Sequence, residues 1–233
     1  MTTGRNALYP EWSPDGRWIA YSAVTRAGNG RTASIWIVHP DGTGATRLNH
    51  PEDGAYDFAG PYNPGTGRIA FTRCARPQLL RNGMEPDTCG VWTMNPDASD
   101  QRPLASESEQ PAWSPNGRHI VFASARDHAA RIRVGADEQS WIRQVYVMDA
   151  DGSNQRRLVA ADSNDGWPDW APGGTVIAYE TTAGDFSVPA TVAVINADGT
   201  CRRIVSPRLT GRFDAGYHTP AWRPGGVAAR LTC

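Results

Sequence analysis

Lysine is absent from this 233-residue chain, and all 23 of its basic residues are arginine. That removes Schiff-base chemistry and the phosphate-gripping lysine of a Walker-type loop from the functions open to it. An excess of either charge is missing as well. With 24 acidic residues the formal net charge is -1, so there is no bulk positive field to hold a polyanion, and nucleic acid is not an expected partner. No apolar run approaches the length of a membrane span, so none is expected. The opening residues MTTGRNALYPEW have neither the basic nor the apolar region of an export signal. Histidine is scarce, with five residues at positions 39, 50, 119, 128 and 218. There is no G-x-S-x-G elbow, no H-E-x-x-H and no glycine-rich phosphate loop, which points away from catalysis and calls for no cofactor.

What is present is apolar and aromatic material, 39% hydrophobic residues with nine Trp, enough to bury a core and to argue against disorder. Residues 1–233 are read as one domain, because an all-β barrel or propeller fills that length as a single unit. The organising feature is a repeat. PEWSPDGRWIAYS begins at Pro10, PYNPGTGRIAFT at Pro61, PAWSPNGRHIVFAS at Pro111, PDWAPGGTVIAYE at Pro168 and PAWRPGGVAARLT at Pro220, at intervals of 51, 50, 57 and 52 residues. A second block follows the first four copies. From Ile35, Val91, Val145 and Val192 to Gly42, Ala98, Gly152 and Gly199 the distance is seven residues each time.

Each repeat therefore offers four short strands joined by turn clusters such as SPDG and DADG. Helical spacing persists nowhere. Four strands per repeat of about 50 residues is the arithmetic of a β-propeller. The fold expected is all-β, a propeller of four-stranded antiparallel blades with five blades, the last incomplete. The repeats run over about 10–60, 61–110, 111–167, 168–219 and a partial 220–233. Trp12, Trp113, Trp170 and Trp222 recur at one place in the frame and are expected to pack between blades.

These residues, PxWSPDGxxIAFxS followed by a block like VYVMDADGSNQRRL, resemble the WD-like propeller repeat of TolB and related bacterial proteins across nearly the whole chain. The resemblance implies a propeller of several blades, outside the cytoplasm in the periplasm or secreted, with one end of the central channel serving as a docking surface for other proteins. In TolB the propeller follows a separate α/β domain and binds a peptidoglycan-associated lipoprotein. The residues here begin directly on the first repeat, so equating this chain with TolB would go beyond the resemblance.

The connections from the outer strand of one blade to the inner strand of the next should converge on the channel mouth. They carry acids: Glu52, Asp53 and Asp57, then Glu107 and Glu109, then Asp162 and Asp165, then Asp214. They also carry Tyr56, Phe58, Trp167, Phe213 and Tyr217, and the histidines His50 and His218. As a set, Asp57, Glu109, Asp165, Trp167, Asp214, Tyr217 and His218 form the expected binding surface for a protein or peptide, an acidic rim around aromatic anchors. Solvated loop acids are the bland alternative. His50 and His218 with these acids could hold a divalent metal, which would suit a metal-assisted polysaccharide lyase or hydrolase. A fragment or accessory propeller domain of a larger, peptidase-like protein is a further alternative. DADGSN at Asp149 resembles the start of a calcium loop, but position twelve is Ala160, and Asp-Gly is what a hairpin turn needs.

The insertion from Arg126 to Arg143 is expected as a solvated excursion on the opposite face of the propeller. Cys74 and Cys89 flank a long hairpin loop, each beside a strand-like run, and a bridge across its mouth is expected. Free thiols in a reducing compartment are the alternative. Cys201 and Cys233 show no such relation.

Overall fold

The computed structural model describes residues 6–27, 30–51, 55–75, 79–80, 83–84, 88–133, 139–159, 163–183, 190–206 and 230–233. Among them there is no helix. Four antiparallel units follow one another along the chain, each built of four strands. The first comprises β1 (Asn6–Trp12), β2 (Ile19–Ala27), β3 (Gly30–Val38) and β4 (Thr46–Arg47). The second comprises β5 (Tyr56–Tyr62), β6 (Ile69–Cys74), β9 (Cys89–Met94) and β10 (Arg102–Ser106), with a small ribbon, β7 (Leu79–Leu80) and β8 (Gly83–Met84), between its middle strands. A single parallel bridge, Ala33 to Tyr56, joins these two units into one sheet.

The third unit has β11 (Ser108–Trp113), β12 (His119–Ser124), β15 (Gln144–Asp149) and β16 (Arg156–Arg157), with the ribbon β13 (Arg131–Arg133) and β14 (Gln139–Trp141) inserted. The fourth has β17 (Ser163–Trp170), β18 (Val176–Ala183), β19 (Thr191–Asn196) and β20 (Arg203–Ile204). Among the described residues the units do not close into a ring of hydrogen-bonded strands. The second strands carry near-continuous apolar runs, as in IAFTRC and HIVFAS, because both edges are paired and both faces covered. The fourth strands are short and arginine-bearing, which blunts an outer edge against unwanted pairing.

The core lies in the seams between consecutive units. Ala20 and Ile35 meet Tyr62, Ile69, Phe71 and Met94 across the first seam. In the second seam Trp113, Phe122 and Met148 cover Ala70, Val91 and Ala105. In the third, Trp170, Ile177 and Tyr179 cover Val121, Val145 and Leu158. Each seam Trp thus lies on the preceding unit, and Trp113 and Trp170 are 7% and 6% exposed. Trp12 holds the same place in the frame but is 59% exposed. No described unit precedes the first, so the expectation that all such tryptophans are packing residues fails at Trp12. Trp222 lies outside the described residues.

Turn chemistry repeats with the units. The first turns place Gly16, Gly67, Gly117 and Gly174 at positive φ, and the second turns do the same with Gly42, Gly152 and Gly199. At the second unit's turn of this kind the residue is Ala98, held at φ 66 without a glycine's freedom. The aspartates of the second-type turns are satisfied locally. Asp41, Asp97, Asp151 and Asp198 each accept the backbone N–H and the hydroxyl of the residue two further on. Those donors hold each carboxyl below its usual range. Both kinds of turn lie on one face, since Ala150 N–H donates to Arg118 O and Ala197 N–H to Thr175 O.

The opposite face carries the connections between units and the loops between second and third strands. The insertion that begins at Arg126 is on this face. Ser108, at the start of β11, pairs with Ser124, and Ala125 N–H and the Ser124 hydroxyl both donate to Glu107 O. The expectation that it lies opposite the connections is therefore corrected: an antiparallel strand pair returns the end of β12 to the level where β11 began. Cys74 and Cys89 are directly opposed on β6 and β9 and are bridged. Cys201 and Cys233 are bridged as well, which ties the end of the chain to the fourth unit.

Candidate functional site

The first strand of every unit carries a register shift immediately before the repeat's proline: between Leu8 and Glu11, Ala59 and Tyr62, Glu109 and Ala112, Gly166 and Asp169. A bulge adds a residue and re-aims a side chain. At three of these sites the extra residue is a bulky one in the left-handed region, Tyr9 at φ 55, Gln110 at φ 58 and Trp167 at φ 50. Such a conformation costs an L-residue roughly 1–2 kcal/mol and persists where surrounding contacts enforce it. The second unit has Gly60 instead. A Cβ there would lie 2.7 Å from Ala70 O, so this unit has no room for a side chain at that place.

The three re-aimed residues come together, although the first and fourth units are far apart in sequence. The Tyr9 and Trp167 rings stack with centroids 5.6 Å apart, and Phe58 of the second unit meets Tyr9 edge to face, also at 5.6 Å. Gln110 of the third unit accepts the Trp167 backbone N–H at Oε1, 2.7 Å away, while its own N–H donates to Thr72 Oγ1 at 3.0 Å. All four first strands therefore contribute to one axial cluster. Its three aromatic residues are half-buried.

Two carboxylates lie on the same strands as two of these residues. Glu11 and Asp169 each follow the re-aimed residue of their strand by two positions. Burial, reinforced by the charge of Asp169, pushes the Glu11 carboxyl up to about 7. Burial likewise raises Asp169 to about 6, against a lowering hydrogen bond from the Trp170 N–H.

The acids of the connections are placed differently from the expected open rim. Asp57 is fully buried. Arg73 donates to it from Nε at 2.8 Å and Nη2 at 2.6 Å, and Asn49 donates a further bond. Burial raises its pKa, and Arg73 and Asn49 pull it back. Glu109 is paired with Arg143 and is also buried. Glu107 lies 2.7 Å from His128 Nε2, and His128 in turn stacks on Trp141. Asp165 is fully buried and accepts from Ser163 Oγ at 3.0 Å. Its carboxyl is pushed up to about 6, chiefly by burial, while hydrogen bonds from Thr181 and Ser163 oppose the rise.

Of the expected binding residues, then, only Trp167 reaches the axial cluster. Asp57, Glu109 and Asp165 are buried. Asp214, Tyr217 and His218 lie outside the described residues, as do Glu52, Asp53, Asp162 and Phe213. His50 is exposed. No three His, Cys, Asp or Glu side chains among the described residues are grouped so as to hold a metal ion. Sequence reading missed Tyr9, Glu11, Gln110 and Asp169. The signal available for them was the residue on either side of the repeat's proline, the place in the frame where the four copies differ most.

No family model matches the chain. It is 26% identical over 190 residues to an uncharacterized protein of Agrobacterium fabrum strain C58, covering 77% of this chain and 56% of that relative, so it spans little more than half the relative's length. Among solved structures it is similar to a protein assigned as TolB from Agrobacterium tumefaciens, with a TM-score of 0.58 and 18% identity over 87% of this chain and 81% of that one. TolB from Acinetobacter baumannii gives 0.63 and 18%, over 87% of this chain and 44% of that one. Dipeptidyl peptidase 4 from Porphyromonas gingivalis gives 0.52 and 12%, over 85% and 30%. At these identities the likeness concerns fold alone. The fold is a TolB-like β-propeller.

Proposed function

We propose that this protein is a non-catalytic propeller scaffold that binds a protein or peptide along its axis, from the face where the connections emerge. The four units are read as blades; the partial repeat that begins at Pro220 lies for the most part outside the described residues. The observation that carries the reading is the cluster of Tyr9, Phe58 and Trp167, drawn from three blades and held half-buried by left-handed backbone at Tyr9 and Trp167. Half-buried aromatic residues drawn from several strands resemble the anchors of recognition surfaces, where a few residues carry most of the binding energy. Two acids of the connections, Asp57 and Glu109, are already paired with Arg73 and Arg143, which favours the aromatic cluster over them as the recognition element. Two bridged cysteine pairs support an extracytoplasmic home, where disulfides persist.

The test is capture of partners from the native source, followed by binding kinetics on variants. Trp167→Ala and Tyr9→Ala should each speed dissociation at least ~10-fold, because buried aromatic anchors act on the off-rate. Asp57→Asn should affect folding rather than binding. A partner whose kinetics ignore both rings would defeat the reading. A second reading, an accessory propeller of a larger peptidase-like protein, has the similarity to dipeptidyl peptidase 4 in its favour. Its check is whether the native polypeptide carries a hydrolase domain.

A further inference from the structure

One hydrogen bond recurs across the seams until the repeat loses the residue that makes it. In the first seam the Ala59 N–H of the second unit donates to Ser22 Oγ of the first, 2.7 Å away. In the second seam the Gln110 N–H of the third unit donates to Thr72 Oγ1 of the second at 3.0 Å. Donors and acceptors hold fixed places in the frame. Ala59 and Gln110 each stand three residues before the aromatic of their seam, Tyr62 or Trp113. Ser22 and Thr72 pair with Ile35 and Val91, the residues from which the second block of the repeat is counted. By the same count the third seam should run from the Trp167 N–H to the residue paired with Val145, and that residue is Ala123, which has no side-chain acceptor. The Trp167 N–H donates instead to Gln110 Oε1 at 2.7 Å. Gly166 gives that carbonyl its place, since a Cβ there would lie 3.0 Å from the oxygen.

We infer that Gln110 is the positioning residue of the aromatic cluster: its side-chain carbonyl replaces the hydroxyl that Ala123 lacks and fixes Trp167 against the third unit. This rests on the axial docking reading and names the residue that sets its ring in place. A backbone N–H taken from water without an acceptor costs more than a made bond returns, so the loss of a hydroxyl at Ala123 calls for a substitute. Gln110 can serve because of its backbone. Held at φ 58, it gives its own N–H to the preceding unit and its side chain to the following one, which couples the second, third and fourth units at the axis. Trp167 in turn stacks on Tyr9, and Tyr9 meets Phe58 edge to face. The whole cluster therefore takes its arrangement from one amide that need not touch a partner.

The experiment follows hydrogen exchange of the Trp167 amide by NMR in the wild type, in Gln110→Ala, and in Gln110→Ala combined with Ala123→Ser. Loss of the carbonyl should speed exchange at Trp167 about tenfold relative to the Trp170 amide of the same strand. Serine at position 123 restores the acceptor used in the other two seams, with the glutamine's space vacated for it, and should return exchange to within about twofold of wild type. Unchanged protection of Trp167 in Gln110→Ala overturns the inference. So does a loss that Ala123→Ser leaves uncorrected, since Gln110 would then be filling space and not replacing a hydroxyl. If the amide behaves as expected while a captured partner ignores Trp167→Ala, Gln110 holds the ring and axial docking falls. If the partner depends on Trp167 while the amide ignores Gln110→Ala, axial docking stands and the positioning role falls.

Discussion

The seams and the axis are both built from aromatic residues of the same repeat, yet they differ in burial and in backbone conformation. In the seams Trp113 and Trp170 are almost wholly covered by the preceding unit. Their backbone is ordinary strand, and their value is apolar area removed from water. At the axis Tyr9 and Trp167 occupy left-handed backbone and are half-buried. The difference shows where stability is produced and where some is given up. A position that repeats faithfully in the frame serves packing, while the position beside the proline, where the copies carry Tyr, Gly, Gln and Trp, is where one blade can differ from the next without loosening a seam.

The sharpest way to break this contrast is to truncate one ring from each region. Trp113→Ala or Trp170→Ala should lower stability by about 3–5 kcal/mol, the usual cost of removing a large buried ring. Trp167→Ala should cost much less and act on binding. Trp12→Ala should change stability by under about 0.5 kcal/mol, because Trp12 is mostly exposed. Chemical denaturation of the four variants decides it. A Trp167 variant as unstable as the Trp113 variant would place the axis in the core.

Next in size is the bridge between Cys74 and Cys89, which closes a segment with a sequence separation of 15. Replacing both cysteines by serine should cost ~3 kcal/mol by loop-closure entropy. Trp167-dependent binding should be retained where the protein remains folded. Loss of binding at temperatures well below the melting transition would tie the axis to this loop.

A smaller effect separates the regions by pH. Glu11, Asp165 and Asp169 have folded pKa values raised above their unfolded values of 4.5, 3.8 and 3.8, to about 7, 6 and 6. In that window the folded state holds more protons than the unfolded one, so stability falls as pH rises. The turn aspartates, with lowered values, act in the opposite sense, and only below about pH 4. Melting temperature should therefore decline from pH 4.5 to about 7, and Glu11→Gln with Asp169→Asn should flatten the decline. A wild-type profile that rises across this range would contradict the burial of these carboxyls.

The smallest expected change is in the turns. Ala98 occupies a left-handed position that glycine fills in the other units. Ala98→Gly should stabilise by up to ~1 kcal/mol, the relief of left-handed strain less the added chain entropy. Thermal melting would detect a loss instead, which would mean that the Ala98 contact with the first seam's cluster outweighs the strain.

Much of the fold was legible in the residues. The glycines and aspartates of the turns, the apolar second strands and the tryptophans of the seams all follow from the repeat, and the repeat is local information. The bridge between Cys74 and Cys89 was legible for the same reason, since both flank one hairpin. The site was legible only in part. Trp167 could be chosen from its place beside a connection. That Asp57 and Glu109 would be buried against Arg73 and Arg143 could not, because an acid in a polar loop reads the same whether or not an arginine closes over it.

What the chain determined by itself is the unit: four strands, two kinds of turn, a bulge before a proline and a Trp for the seam, each set by residues within a few positions of one another. Only the tertiary structure decided which copies meet. It stacked Tyr9 on Trp167 across more than half the chain, left Trp12 uncovered where its counterparts are buried, and returned the Arg126 insertion to the face of the connections. The physical reason is that a repeat specifies contacts with the next copy, whereas contacts across the axis depend on how many copies there are and on how sharply each turns from the last.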